Sequence, residues 1–359
     1  MTLSPLSTNA IIPDEIRQAF PFLIPFGIIG LWRWALFVIR IIFWLLYRPL
    51  YPKRHDDGSS ANKYKTTDVT IIVPTIDNGE EFKEAARLWK VNDPYEVIVV
   101  TSDEMRDEIQ ATCDDVDPTL FKVLSVPKPN KRVQLMAGIH ATKTDIVALA
   151  DDDAIWTENF LEWMLAPFDD DEMGGTGSKQ VSTYIHLHTH QNNNVIQLLL
   201  YHLSIYHVAI AIYFIGTHEQ VMIPVGPYAT FWEVIADFRL TMRMIETSAS
   251  TFVDGGMSCI SGRTAVYRTK ILSDPKFEEA FVNEKWRGKY PLHSGDDKFI
   301  TRWLVKHSWK MRLQNHKEAC LQTTFKNDSK FLKQVLRWTR NTWRSDILSI
   351  FVDHKILWR

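Results

Sequence analysis

The sequence predicts an α/β domain built on a parallel sheet and tethered by an N-terminal transmembrane helix. Two patterns predict it: short apolar runs alternate with helical stretches from Thr66 onward, and Phe20 to Tyr47 upstream is almost wholly apolar. Strands and helices alternating at that pitch pack as parallel α/β units. An apolar run of about 20 residues is what about 30 Å of hydrocarbon requires.

The anchor comes first. Its apolar run is broken only by Pro21, Pro25, two glycines, Arg33 and Arg40. The arginines lie seven apart, on one helical face, and each costs roughly 2.5–3.5 kcal/mol at the bilayer centre. They are expected to snorkel or to face another helix or a polar cavity. The run is too long for a cleaved signal peptide, and no small-residue cleavage site follows. Asp14, Glu15 and Arg17 precede it, whereas Arg48, Lys53, Arg54 and His55 follow. Positive charge on the C-terminal side puts the rest of the chain in the cytosol, on a plasma membrane or endomembrane.

The sheet follows. Asp68 to Thr75 reads as a buried strand ending at Pro74, Glu80 to Trp89 as a helix, and Tyr95 to Val100 as a second strand closing in Thr101-Ser102-Asp103. Phe121 to Val126 and Asp145 to Ala150 supply two more strands around a helix from Lys131 to Thr142, and the last runs into Asp151-Asp152-Asp153. Ligands of such sheets sit beyond the carboxyl ends of the strands. Thr75, Asp103 and the three aspartates all fall there.

Composition narrows the chemistry. The 359 residues carry a formal net charge of −2 and are 45% hydrophobic. That allows a large core and provides no basic face for nucleic acid. Cys113, Cys259 and Cys320 are far apart, so neither a disulfide framework nor a zinc site is expected. Three carboxylates after a buried strand make either a solvated acidic turn or a hard-cation site, with Mg2+ or Mn2+ bridging carboxylate and diphosphate oxygens. If strand geometry persists, Asp151 and Asp153 point to one side and Asp152 to the other. Lys131 and Arg132 nearby suit a diphosphate. No glycine-rich fingerprint follows the first strand, and Gly174 to Lys179 lacks phosphate-loop spacing, so side chains and metal are expected to hold the nucleotide.

Four separated motifs then carry a resemblance: Pro74-Thr75 with Asp103; Asp151-x-Asp153; Ser294-Gly-Asp-Asp297; and Gln334-Val-Leu-Arg337-Trp338, supported by Ser261-Gly-Arg-Thr264. In this order they resemble glycosyltransferase family 2, and within it the processive hyaluronan, chitin and cellulose synthases and their fungal relatives. The resemblance spans Thr66 to about Arg344. It implies a GT-A nucleotide-sugar-binding fold and an inverting, metal-dependent transfer from a UDP-sugar to a growing polysaccharide. Thr75 and Asp103 would contact the uridine part of the donor, with Lys131 near the diphosphate. Asp151 and Asp153 would hold donor and metal. Asp297 would be the general base, and Gln334, Arg337 and Trp338 would cradle the diphosphate and the terminal acceptor sugar.

The expected organisation is a tail (1–19), a membrane anchor (20–50), a nucleotide-sugar-binding half (66–180), an atypical insertion (181–230), an acceptor-binding and catalytic half (231–338) and an interfacial amphipathic helix (339–359). The insertion departs from the family. It holds His186, His188 and His190, read as incidental, and an apolar stretch from Val195 to Ile215. Val181-Ser-Thr has codons compatible with an intron donor, so an intron retained over roughly Val181 to Gly216 would explain the foreign composition. The second departure is the end. Family synthases continue into channel helices, whereas this sequence reaches Arg359 with Trp343, Ile347, Leu348, Phe351, Ile356 and Trp358 set among Arg340, Arg344 and Lys355. A homo-oligomer or a partner chain would then supply any channel, and membrane lipid would cover the last helix. The second reading is a truncated or mis-spliced member that binds nucleotide sugar without productive synthesis.

Overall fold

The computed structural model describes residues 23–182, 231–323 and 329–353. The expected tail, the insertion from residue 183 onward with its three histidines and apolar stretch, and Lys355, Ile356 and Trp358 lie outside the described residues.

Helix α1 (Leu23–Leu46) leads into β1 (Val69–Pro74), α2 (Glu80–Val91), β2 (Glu96–Ser102), α3 (Arg106–Val116), β3 (Phe121–Val126), α4 (Lys131–Ala141) and β4 (Ile146–Ala150). Every residue of β1 and β4 is buried, the signature of strands covered on both faces. Ile71 and Val73 face Phe82, Ala85 and Trp89 of α2. Ile72 faces Leu135 and Ile139 of α4 on the other side. Gly138 permits that second contact, because a Cβ there would come within 2.5 Å of the Ile72 side chain.

The chain continues through β5 (Ile155–Trp156), α5 (Phe160–Leu165), β6 (Met173–Ser182) and α6 (Phe231–Asp254) to β7 (Thr264–Arg268). After a helical turn at Thr269–Leu272 come α7 (Pro275–Val282), the hairpin strands β8 (Lys285–Trp286) and β9 (Tyr290–Pro291), α8 (Asp296–Lys306), β10 (Lys310–Gln314), β11 (Cys320–Thr323) and α9 (Lys330–Leu348). The main sheet runs β3-β2-β1-β4-β7-β6-β11-β5, with β10 also paired to β6. Its first four strands are parallel, as expected. Strand β7 is antiparallel to both β4 and β6, so the sheet is mixed. The strand order reverses between β1 and β4, and the acidic turn follows the end of β4.

Helix α1 has a stretch, Gly27–Leu46, with mean hydropathy 1.9 and only 6% of it buried. At 1.5 Å per residue those 20 residues span about 30 Å, enough to cross a membrane. Its inner face packs on α6. Arg40 meets Glu246 at 2.6 Å, Phe43 stacks on Phe252, and Trp44 is buried with Met244 and Ile245. Arg40 therefore faces another helix, one of the alternatives its position required. Beyond α1 the chain is stitched to β10: the Tyr47 hydroxyl donates to the Leu313 carbonyl at 2.6 Å. Leu50 and the Gln314 amide exchange two hydrogen bonds.

Candidate active site

The cleft forms where the ends of two strands meet the starts of two helices and the loop before β7. Its walls include Pro74 at the end of β1, Asp151 after β4, Lys131 at the start of α4, Gly262 before β7, and Asp296 with Asp297 at the start of α8, around about 270 Å³. Lys131 ties the segments together. Its Nζ lies 2.6 Å from Asp151 Oδ1 and 3.3 Å from Asp296 Oδ2. Burial works against the lysine charge, but Asp151, Asp296 and Asp297 overcome it and raise the Lys131 pKa.

The three aspartates do not follow strand alternation. A turn begins after Ala150, and each carboxylate goes its own way. Asp151 takes Lys131. Asp152 Oδ2 accepts the Thr75 hydroxyl at 2.6 Å. Asp153 faces the Arg263 charge. Burial, with repulsion from Asp151 and Asp153, pushes Asp152 up to about 6 despite the Thr75 bond. Asp153 is likewise raised, mainly by burial, with Arg263 opposing. Negative charge here exceeds what the surrounding groups compensate.

Thr75 is buried, and its carbonyl accepts from the Gln134 amide, which also donates to the Val100 carbonyl. Gln134 thus levels the ends of β1 and β2, a bracing role not read from the sequence. Asp103 begins the helical turn after β2 and is exposed, and it is not one of the residues lining the cleft. Arg132 requires a correction. It is 2% exposed and points away from the cleft, pairing with Glu284 at 2.6 Å between the Phe281 and Phe299 rings. Glu284 also pairs with Arg302 of α8. Adjacent helix residues diverge by about 100°, so Lys131 and Arg132 cannot share one face.

Asp297 sits in the first turn of α8, following Gly295 in the left-handed region at φ 83°. Its Oδ1 accepts from the Lys298 N–H at 2.8 Å, and its Oδ2 lies 3.2 Å from the Cys259 thiol. A Cβ on Gly262 would come within 3.1 Å of Asp297 Cβ, so a larger residue there would have to push the Asp297 side chain by a few tenths of an ångström.

On α9, Trp338 is faced by two guanidinium groups, Arg239 of α6 at 5.6 Å and Arg263 at 5.8 Å from the ring centroid. Arg263 is the link between halves, because it feels Asp153 and Asp151 as well as Arg243 and Arg337. Gln334 is half-buried and Arg337 exposed one turn apart on the same helix. The structure therefore brings Lys131, Asp151, Asp296 and Asp297 together, and joins Trp338 to Asp153 through Arg263. Arg239, Arg243 and Cys259 are additions, with no spacing signal to reveal them.

Residues 67–341 match the model of the family described as Glycosyltransferase like family 2. The chain belongs to that family. A type 2 glycosyltransferase of Zymoseptoria tritici is 37% identical over 291 residues, covering 81% of this chain and 53% of that protein. The chain spans about half the length of such fungal relatives. Hyaluronan synthase 1 of Xenopus laevis is 29% identical over 131 residues, 36% of this chain and 21% of that protein. Among solved structures, the mannosyltransferase PcManGT of Pyrobaculum calidifontis, in complex with GDP-Man and Mn2+, superposes with a TM-score of 0.53 at 14% identity, covering 88% of this chain and 73% of that one. The chain has the mixed, curled-sheet GT-A-like fold.

Proposed function

We propose that this family 2 glycosyltransferase is membrane-bound and transfers a sugar, with inversion, from a UDP-sugar to a growing glycan. The observation that carries the reading is the convergence on Lys131 of Asp151 and Asp296, from stretches 145 residues apart in sequence, with Asp297 on the wall of the same cleft. The acceptor hydroxyl gives its proton to Asp297 as its oxygen bonds to the anomeric carbon, and the bond to the diphosphate breaks on the opposite face. Lys131 and Arg337 neutralise the departing diphosphate. Thr75 and Asp103, at neighbouring strand ends, hold the uridine part, and Gln334 with Trp338 faces the terminal acceptor sugar.

The donor set suits a divalent cation. Asp151 and Asp153 offer hard oxygen ligands in an over-negative turn. Asp151 and Asp153 would hold Mg2+ or Mn2+ there, although among the described residues no group of three or more metal-ligating side chains forms. The metal would supply charge stabilisation to the leaving group. The GDP-Man and Mn2+ bound by the solved mannosyltransferase support this class of donor and cofactor. Membrane attachment through α1 is supported by its uncovered apolar surface, and by Leu332, Leu336, Trp343 and Ile347 exposed on one side of α9. Metal-dependent UDP release, measured with each of UDP-glucose, UDP-N-acetylglucosamine and UDP-glucuronate, tests the proposal. UDP release that is indifferent to Asp297→Asn would sink it.

A further inference from the structure

Against Asp297, behind the wall of the cleft, lies a donor for which the mechanism above has no use. Cys259 is 3% exposed, and its thiol has two acceptors in reach: Asp297 Oδ2 at 3.2 Å and the Ile260 carbonyl oxygen at 3.1 Å. One S–H proton can serve only one of them at a time. The backbone around it is clamped. The Ile260 N–H donates to Thr301 Oγ1 at 3.0 Å, and that hydroxyl donates to the Asp297 carbonyl at 2.7 Å. Gly262 presses the same loop against the Asp297 side chain.

The two carboxylate oxygens of Asp297 are therefore held differently. Oδ1 is fixed by the Lys298 backbone N–H, which cannot turn away without unwinding α8. Oδ2 is held by a side-chain rotor with a second acceptor beside it. A thiol is a weak donor, so exchanging one acceptor for the other costs little. Cys259 also stands on the wall of a second cavity of about 380 Å³, lined by Arg243, Thr247 and Gln180, which shares Ser261 with the donor cleft.

We infer that Cys259 is a positioning residue for the Asp297 base: its S–H holds Oδ2 until the acceptor hydroxyl docks, then turns to the Ile260 carbonyl. The proposal rests on the transferase reading above. The sulfur keeps its proton throughout. The acceptor proton moves to Oδ2 as the acceptor oxygen bonds to the anomeric carbon and the diphosphate departs. Burial, with Asp297 beside it, pushes the Cys259 thiol up to about 12, which keeps it a donor across the working pH range. Other charged or titratable groups act on this pair: Asp296 and Lys298 on α8, Lys131 from α4, Tyr267 from β7 and Arg243 from α6. None of them is altered by a substitution at Cys259.

The test compares UDP release against pH for the full chain and for Cys259→Ala, Cys259→Ser and Asp297→Asn, using the three UDP-sugars named above with Mn2+. UDP binding, followed by calorimetry, serves as the fold control. Cys259→Ala loses the donor, so kcat falls about tenfold and the acid limb of the kcat/KM profile moves up by about one pH unit. Cys259→Ser keeps a donor, so its rate stays within about threefold of wild type with the acid limb in place. An unmoved limb in Cys259→Ala, or an equal loss in Cys259→Ser, overturns the inference. Should Cys259→Ala fail to bind UDP, Cys259→Ser decides, and a serine variant with its limb moved up by as much overturns it. A fully active Asp297→Asn sinks the transferase mechanism itself. A silent Asp297→Asn beside a Cys259→Ala indistinguishable from wild type sinks only the role of the thiol.

Discussion

The acidic turn after β4 and the acidic start of α8 meet on one lysine but handle their charge differently. At 151–153 three carboxylates crowd together, and burial with mutual repulsion raises Asp152 and Asp153. At Asp297 an N–H and an S–H, both neutral donors, approach the two oxygens separately, at a helix N-terminus that favours negative charge. One site holds more carboxylates than the Lys131 and Arg263 charges beside it offset, and the other has its donors in place. That contrast is what a cation-assisted donor site and a standing base require of adjacent groups.

The comparison can be broken at its base end first. Asp297→Asn should lower the transfer rate by about 10²- to 10⁴-fold, the usual contribution of a general base. UDP affinity by calorimetry should stay within a few-fold; an equal loss of both would make Asp297 a donor ligand instead. Next comes the frame that holds α8. Arg132→Met leaves Glu284 with Arg302 as its remaining partner. Stability to urea should therefore fall by about 3 kcal/mol, the low end for a broken buried pair, and an unchanged midpoint would show the pair to be dispensable.

At the crowded end, Mn2+ should raise the melting temperature of wild type when UDP is present, and Asp153→Asn should remove most of that rise. A full shift in the variant would move the metal elsewhere. The smallest effect belongs to Asp152. Its pKa rises from 3.8 to about 6 on folding, so its protonation favours the native state. That stabilisation is complete below about pH 4 and is lost as pH climbs through about 6. In chelator, Asp152→Asn should gain about 1–2 kcal/mol over wild type at pH 7.5 and almost none at pH 4, allowing for partial exposure. Equal gains at both pH values would exclude titration as the cause.

Much of this was legible in the chain. Strands β1 and β4 announce themselves because burial on both faces makes each a nearly continuous apolar run, and Pro74-Thr75 and Ala150-Asp151 mark their ends. The direction of β7 was not legible, since its partners β4 and β6 lie before the long excursion that precedes it. Arg132 misled because adjacency in sequence is not adjacency on a helix. Cys259 gave no signal, because its partner is 38 residues away and a lone thiol has no spacing to read. Arg263 lies within the Ser261–Thr264 motif, yet only the fold gives it both Asp153 and Trp338 as neighbours.

Tyr47 and Leu50 leave α1 already fastened to β10, and Leu313 on that strand also walls the second cavity. A loose leash would let the sheet swing free of the helix. Here helix and strand are joined by direct hydrogen bonds, so a tilt or rotation of α1 is passed on to β10 and the wall of the second cavity instead of being absorbed by a linker.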